Sequence, residues 1–357
     1  MERLGLETLS LLLGGPTPWD AANRPTDWRA LLRLARRNVV LVRVDERLQA
    51  RGIRAPRDPW ASAVAAERAR IRSTVEVIGR LAEICGSAAV DFVLTKSFQH
   101  FPDMGHDVDL LVLDRSRRVD GLLAARLGAM PGRGSLTHRV AGKRAFVVPG
   151  CPSPVELHHG RLGLLGEYAA YPAQLVRRRQ PLEVDGVRTW VPSPEDQLLV
   201  QALQRIYVHL SLRFSEVLSA ATALRSAALD WDYLAATARA IGILDGLACY
   251  VGYVQEIHRR SAGARLEAPA VRVLAAPRWA GSPRFRGDAY RFPVARVLGR
   301  VYGAKLLADV KTRNWRGVGR LGLLLPLAVV VGARNLARLA ARSWAGLRPA
   351  HAGGTQA

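Results

Sequence analysis

The sequence predicts an α/β (α+β) protein in which a small mixed β-sheet is framed by helical regions on its N- and C-terminal sides. Three observations carry this expectation. Through residues 1–88 the apolar residues keep a helical period, with Val64, Ile71, Val75, Ile78 and Leu81 on one stripe. Between Ala88 and His159 the pattern changes to short runs rich in valine, leucine and phenylalanine, broken by Pro and Gly. From Pro192 the helical period returns. The 357 residues, 49% apolar and 23% charged, are ample to bury a core and exclude wholesale disorder.

Taken in order, Thr26 ahead of Asp27-Trp28-Arg29 reads as the cap of a helix through Arg36, because a hydroxyl can satisfy free amides there. A longer helix spans about Pro59–Ile84. Val90–Thr95 and Val108–Leu113 read as buried strands flanking a loop that contains Pro102 and Gly105. Arg117–Leu127 is expected as a helix, and Leu136–Val140, Arg144–Val148 and Val155–His158 as further strands. Leu182–Val191 suits a hairpin turning at Asp185-Gly186, a dipeptide that tolerates positive φ.

Pro192-Ser193-Pro194-Glu195-Asp196 is a strong helix start: serine caps, proline fits the first turn, and two acids oppose the helix dipole. That helix runs to about His209. It buries Leu198, Leu199, Ala202, Leu203 and Ile206, while Gln201 and Arg205 read either as packing residues or as cleft lining. Helices continue to about Arg260. The expected division is an N-terminal helical region 1–88, a core 89–192, a helical lobe 193–261, a linker or loose loop 262–290, and a basic, partly apolar helical tail 291–357.

Charge is the second constraint. The formal charge is +22, and only Lys96, Lys143, Lys305 and Lys311 are lysines among 52 basic residues. Such a surplus favours an anionic partner: nucleotide, nucleic acid or membrane surface. Fourteen basic residues fall between Arg284 and Arg348, against Asp288 and Asp309. The tail has three readings: a core helix over Val318–Val331, a segment 313–348 lying on anionic lipid with Trp315 and Trp344 at its edges, or an arm for nucleic acid. Its longest uncharged apolar run, Leu321–Ala333, falls short of the ~20 residues that span a bilayer. Three scattered cysteines, Cys85, Cys151 and Cys249, show no metal spacing and suit a reducing cytosol, and no secretory leader is evident. The expected location is cytoplasmic, with the tail peripheral to the inner face of the membrane under the lipid reading.

The chemistry concentrates in Val93-Leu94-Thr95-Lys96-Ser97, then Asp107-Val108-Asp109-Leu110-Leu111-Val112, then Val155-Glu156-Leu157-His158. Residues i and i+2 of a strand share a side, so Asp107 and Asp109 point out of one face. Two carboxylates so close repel unless a cation lies between them, which invites a hard divalent metal, and Glu156 on a neighbouring strand would complete the cage. Nucleotidyl transfer needs such an arrangement, since metal ions neutralise a triphosphate and lower the pKa of the attacking hydroxyl. Lys96-Ser97, expected at a helix start, would meet phosphate oxygens through an ammonium and backbone amides. His106 reads as a loop residue, and Arg177-Arg178-Arg179 as a solvated helix end.

With these motifs in this order, and with the Ser-Pro-Glu-Asp helix after them, the segment of about residues 25–230 resembles the uncharacterised bacterial nucleotidyltransferase family of the DNA polymerase β-like superfamily. The resemblance implies a nucleotidyltransferase-fold core and transfer of a nucleoside monophosphate from a triphosphate to an acceptor hydroxyl, with Mg2+ or Mn2+. It implies Asp107, Asp109 and Glu156 as metal ligands, Lys96 and Ser97 at the phosphates, and His158 beside the metals. Two positions depart from the family pattern. Ser97 replaces a glycine, as the wider superfamily accepts. Asp103 stands where the family has an arginine, and an acid there would repel a triphosphate. The alternative is therefore a catalytically degenerate relative used as a binding or membrane-associated scaffold.

Overall fold

The computed structural model describes residues 1–17, 19–20, 25, 27–114, 116–132, 134, 136–266 and 280–323. Helices α1 (Glu2–Leu13), α2 (Trp28–Arg37) and α3 (Leu41–Ala50) lead, through a wide turn at Arg57–Ala61, into the long α4 (Ser62–Ser87). The cap of α2 is Asp27, whose carboxylate accepts from the Ala30 amide at 2.8 Å. Thr26, the expected cap, lies outside the described residues.

Five strands build the central sheet: β1 (Phe92–Leu94), β2 (Val108–Val112), β3 (Met130–Pro131), β4 (Lys143–Val147) and β5 (Val155–His159), in the order β1-β2-β5-β4-β3. Only β2 and β5 run parallel, and the other pairs are antiparallel, so the sheet is mixed as expected. Helix α5 (Arg118–Leu127) follows β2. Leu136–Val140, expected as a strand, is instead part of a short helix, α6 (Leu136–Ala141), closed by Gly142 at φ +72°. The sheet explains the difference. β4 already pairs with β5 on one side and with Met130-Pro131 on the other, so neither edge of β4 was open to a further strand.

After α7 (Tyr171–Arg177), β6 (Gln180–Val184) and β7 (Val187–Val191) form the expected hairpin, with Asp185 at φ 50° and Gly186 at φ 78° in its turn. Helix α8 (Pro194–Gln204) starts where predicted. Ser193 caps it, accepting from the Asp196 amide at 3.3 Å, and a π-helical turn carries it to His209. Asp196 also accepts from Tyr171 at 2.7 Å and from Tyr233 at 2.8 Å, so the motif fastens neighbouring helices as well as starting its own. Arg178 stacks 3.7 Å over the Tyr233 ring and pairs with Glu195, which makes it a packing residue.

β8 (Ser211–Leu212), α9 (Phe214–Arg225), α10 (Trp231–Ala240) and α11 (Leu244–Ala262) complete the lobe. The stretch 262–290, read from its composition as loose, carries a hairpin in its described part. β9 (Arg284–Arg286) and β10 (Ala289–Arg291) join β8 in a second sheet. Phe285 and Tyr290 hold the hairpin down by packing against Phe214. Then follow α12 (Val294–Lys311) and α13 (Trp315–Gly322). Residues 324–357, including Arg334, Arg338, Arg342 and Trp344, lie outside the described residues. Among the described residues no helix is long and apolar enough to cross a membrane.

Two hydrophobic cores result, and neither follows chain order. One unites α1–α3 with α7–α12, and the other packs α4 and α5 against the sheet. The sheet separates them. Val108, Leu110 and Val112 of β2 belong to the second core, whereas Leu111 belongs to the first, which is why β2 is buried on both faces. Asn38, at the end of α2, donates to the Asp288 carbonyl at 2.6 Å and accepts from the Phe214 amide at 3.1 Å, tying distant segments together.

Candidate active site

Strand alternation places the site. Asp109 lies on the Leu111 side of β2, and the parallel register sets it level with Glu156 of β5, two residues before His158. All three side chains therefore point toward the helical lobe. A cavity of about 210 Å³ lies there, lined by Lys96, Asp107, Lys143, Glu156, His158 and His209, with Leu162–Leu164 and α8 as its walls.

Lys96 Nζ sits 2.7 Å from Asp109 Oδ1, and His158 Nε2 bonds the same oxygen at 2.9 Å. Asp109 is buried, and its Oδ2 has no hydrogen-bond partner. One ligand atom each from Asp109, Glu156 and His158 falls within a 4.8 Å span. Burial alone would raise the Asp109 pKa, but Lys96 and His158 outweigh it and hold the carboxyl well below the usual range. The Glu156 carboxyl is pushed up, first by burial and then by Asp109 and Asp107, with Lys143 opposing. Burial lowers the Lys143 ammonium, and Lys96 adds to this.

The residues fit a divalent cation on one structural test. A buried carboxylate oxygen, Asp109 Oδ2, lacks any donor, and a second carboxylate from Glu156 lies beside it. His158, already bonded to Asp109, serves better to orient that carboxylate than as a ligand to a hard ion. Asp107 stands just before β2 on the same side and lines the cavity.

Lys96-Ser97 departs from expectation in one respect. The two residues lie in a turn, not at a helix start. Pro102 has no amide hydrogen and disfavours helix for the residue before it, so the short connection between β1 and β2 stays a turn. Lys96 still reaches the cavity, because the Thr95 amide donates to the Asp109 carbonyl at 3.0 Å and pins the end of β1 to β2. Ser97 is buried, and its hydroxyl has no partner.

Asp103 does not bear on phosphates as the sequence suggested. Its carboxylate accepts from the Val42 amide at 2.8 Å and the Arg43 amide at 3.2 Å, both in the first turn of α3, with Arg43 Nε at 3.8 Å. It serves as that helix's missing cap, since Val40 offers no side-chain acceptor. Gln201 and Arg205 take packing roles too. Gln201 bonds Gln99 and Tyr250, and Arg205 pairs with buried Glu216 at 2.7 Å. His159 turns to Asp120 at 3.0 Å, and His106 is an exposed loop residue.

The sequence reading missed Lys143 and His209. Lys143 is one of four lysines in an arginine-rich chain and pairs in register with His158, a signal that strand counting could have exposed. His209 closes the π-helical turn, and no local pattern points to it.

Three histidines give the fold a signed pH dependence. Burial, foremost, lowers His100, His158 and His209 each to about 4; Asp109 opposes this at His158 and Glu216 at His100, while nearby cations add to it. The unfolded chain takes up those protons near pH 6.5, about where free imidazole titrates. Stability is therefore present above that pH and is lost as pH falls toward 4. Asp103, pushed up to about 6 by burial, works the other way over the lower part of the range, as do Glu156, Glu167 and Asp196, which burial also pushes up. Asp109, Asp120 and Glu216, which burial alone would raise but cationic neighbours hold low, add to the loss on the acid side. The expected result is a urea midpoint that drops steadily between about pH 7 and pH 4.5; a level or rising midpoint contradicts it.

A buried aspartate paired with lysine and histidine thus stands beside a second carboxylate on the small mixed sheet of an α/β protein. Residues 24–258 match the family described as uncharacterised nucleotidyltransferase, and the chain belongs to that family. No curated protein matches this chain. Among solved structures, an antigenic nucleotidyltransferase-like protein from Paracoccidioides brasiliensis is 18% identical at a TM-score of 0.28, over 38% of this chain and 67% of that one. A tRNA-processing enzyme in an apo form is 13% identical at a TM-score of 0.27, over 68% of this chain and 64% of its own length, a little under two thirds.

Proposed function

We propose that the chain transfers a nucleoside monophosphate from a nucleoside triphosphate to an acceptor hydroxyl in this cavity. The observation that carries the reading is the buried, unpartnered Asp109 Oδ2 beside Glu156, whose side chain lines the cavity together with Lys96 and Lys143. Asp107, Asp109 and Glu156 would hold Mg2+ or Mn2+, which supplies charge neutralisation at the triphosphate and a lowered pKa at the attacking hydroxyl.

Lys96 and Lys143, which line the cavity, offer ammonium groups to the phosphate oxygens. In the reaction the acceptor oxygen bonds to the α-phosphorus. The bond from that phosphorus to its bridging oxygen breaks, and pyrophosphate leaves with the electron pair. Glu156, whose proton affinity burial raises, takes the hydroxyl proton. His158 holds Asp109 in place. Of the two features behind the scaffold alternative, Asp103 and the basic tail, the first has another role, since Asp103 is occupied at the start of α3.

The test is incubation of the purified chain with each α-labelled triphosphate and fractionated cell extract. Label appearing on an acceptor in a chelator-sensitive manner supports the reading. No label from any of the triphosphates, with no nucleotide binding at millimolar concentration, removes it.

A further inference from the structure

Beyond the cavity, His209 also borders a second and larger hollow of about 940 Å³. Its lining includes Arg284, Arg286, Arg291 and Arg296 and, among the described residues, no acidic one. All four arginines are exposed, and none makes an ion pair among the described residues. The arrangement follows from the hairpin. Arg284 pairs directly across from Arg291, and Arg286 shares their face two residues along, roughly 7 Å from Arg284. Phe285 and Tyr290 take the opposite face and anchor it.

Like charges directly opposite on a sheet destabilise it unless something neutralises them. Asp288, the hairpin's own acid, does not: it pairs with Arg37 at 3.4 Å. Four guanidinium groups that have no ion-pair partner among the described residues, in a concave groove that meets the reaction cavity at His209, therefore call for a chain of phosphates. A flat lipid surface would not follow a groove into a cavity, and a single phosphate would not span a hairpin and the helix after it.

We propose that this groove receives the phosphate backbone of a single-stranded nucleic acid whose terminal hydroxyl passes His209 and is the acceptor. This rests on the reading of the cavity as a nucleotidyl-transfer site and names its acceptor class. The bonds made and broken are those given above: the strand's terminal oxygen attaches to the α-phosphorus, pyrophosphate departs, and the proton passes to Glu156.

The test is fluorescence anisotropy of the full chain with short single-stranded RNA and DNA oligonucleotides of one sequence, across about 50 to 200 mM salt. Binding of either supports the proposal, and the tighter one identifies the sugar. The log–log salt slope is expected near −3, since each neutralised phosphate of a single strand contributes about −0.7. The triple variant Arg284→Gln/Arg286→Gln/Arg291→Gln should weaken binding at least ten-fold and flatten the slope by about two. The matching Lys variant should restore most of it.

The charge-matched control, Arg29→Gln/Arg33→Gln/Arg36→Gln on exposed positions of α2, should change affinity less than two-fold. An equal loss in that control means diffuse attraction to a +22 chain and overturns the proposal. So does flotation with acidic vesicles that the groove variant abolishes while oligonucleotide binding stays unchanged. Label transfer to another acceptor that the groove variant leaves intact would overturn the acceptor assignment but keep the transfer reading. Oligonucleotide binding without any transfer would do the reverse, keeping the groove's occupant and removing the reading of the cavity.

Discussion

Replacing Asp109 by Asn is expected to lower kcat/KM for nucleotidyl transfer by about 10³-fold, some 4 kcal/mol of transition-state stabilisation. Asparagine keeps the volume and one carbonyl acceptor, so Lys96 and His158 can still bond there and the sheet stays packed. What is removed is the negative charge. Lys96 then bonds only a neutral acceptor in place of its buried counter-ion, and, being partly exposed, it stays charged through water. A divalent cation loses the ligand whose second oxygen has no other partner. The loss should fall on turnover with only a small change in thermal midpoint, and a variant with near-normal turnover would refute the electrostatic account of the site.

The largest expected effect on folding comes from Gly163→Ala. Gly163 holds φ at +99°, and a Cβ there would lie 2.4 Å from Glu167 Cδ and 2.5 Å from each of its carboxylate oxygens. Glu167 is buried and cannot swing clear, because it accepts from the Leu164 amide at 3.2 Å and the Leu165 amide at 2.8 Å. Backbone strain and the loss of those bonds together should cost about 2–4 kcal/mol. Residues 162–164 wall the reaction cavity, so KM for the nucleotide should rise as well. Urea unfolding would show the midpoint falling at constant slope. In a Glu167→Ala background, where those bonds are already absent and nothing clashes, Gly163→Ala should cost less, because only the backbone strain remains. An unchanged midpoint in the single variant would show that the loop relaxes freely.

Much of this site could be read before any coordinates. Asp107 and Asp109 share a side because strands alternate, and Glu156 is level with Asp109 because β2 and β5 run parallel. The Ser193 cap and the Asp185-Gly186 turn were legible because each is decided within a few residues. What escaped is decided at a distance. Asp103 looked like an acid misplaced among phosphates, yet its role depends on amides about 60 residues earlier in the chain. Leu136–Val140 was expected as a strand, but both edges of the neighbouring β4 were already paired. The hairpin within 262–290 resembled a linker, since Pro, Gly and Arg dominate there and only Phe285 and Tyr290 report the packing. His209 joins the site solely through the path of a helix end.

Asn38 and its neighbours also set a timetable for synthesis. The bonds from Asn38 to Phe214 and Asp288 close over 176 and 250 residues. Helices α1–α3 leave the ribosome first, with apolar faces whose partners sit in α9–α12. At ~5–20 residues per second, those faces wait on the order of ten seconds or more before the other half of their core emerges. A truncation before α9 therefore removes much of the core against which the first helices pack.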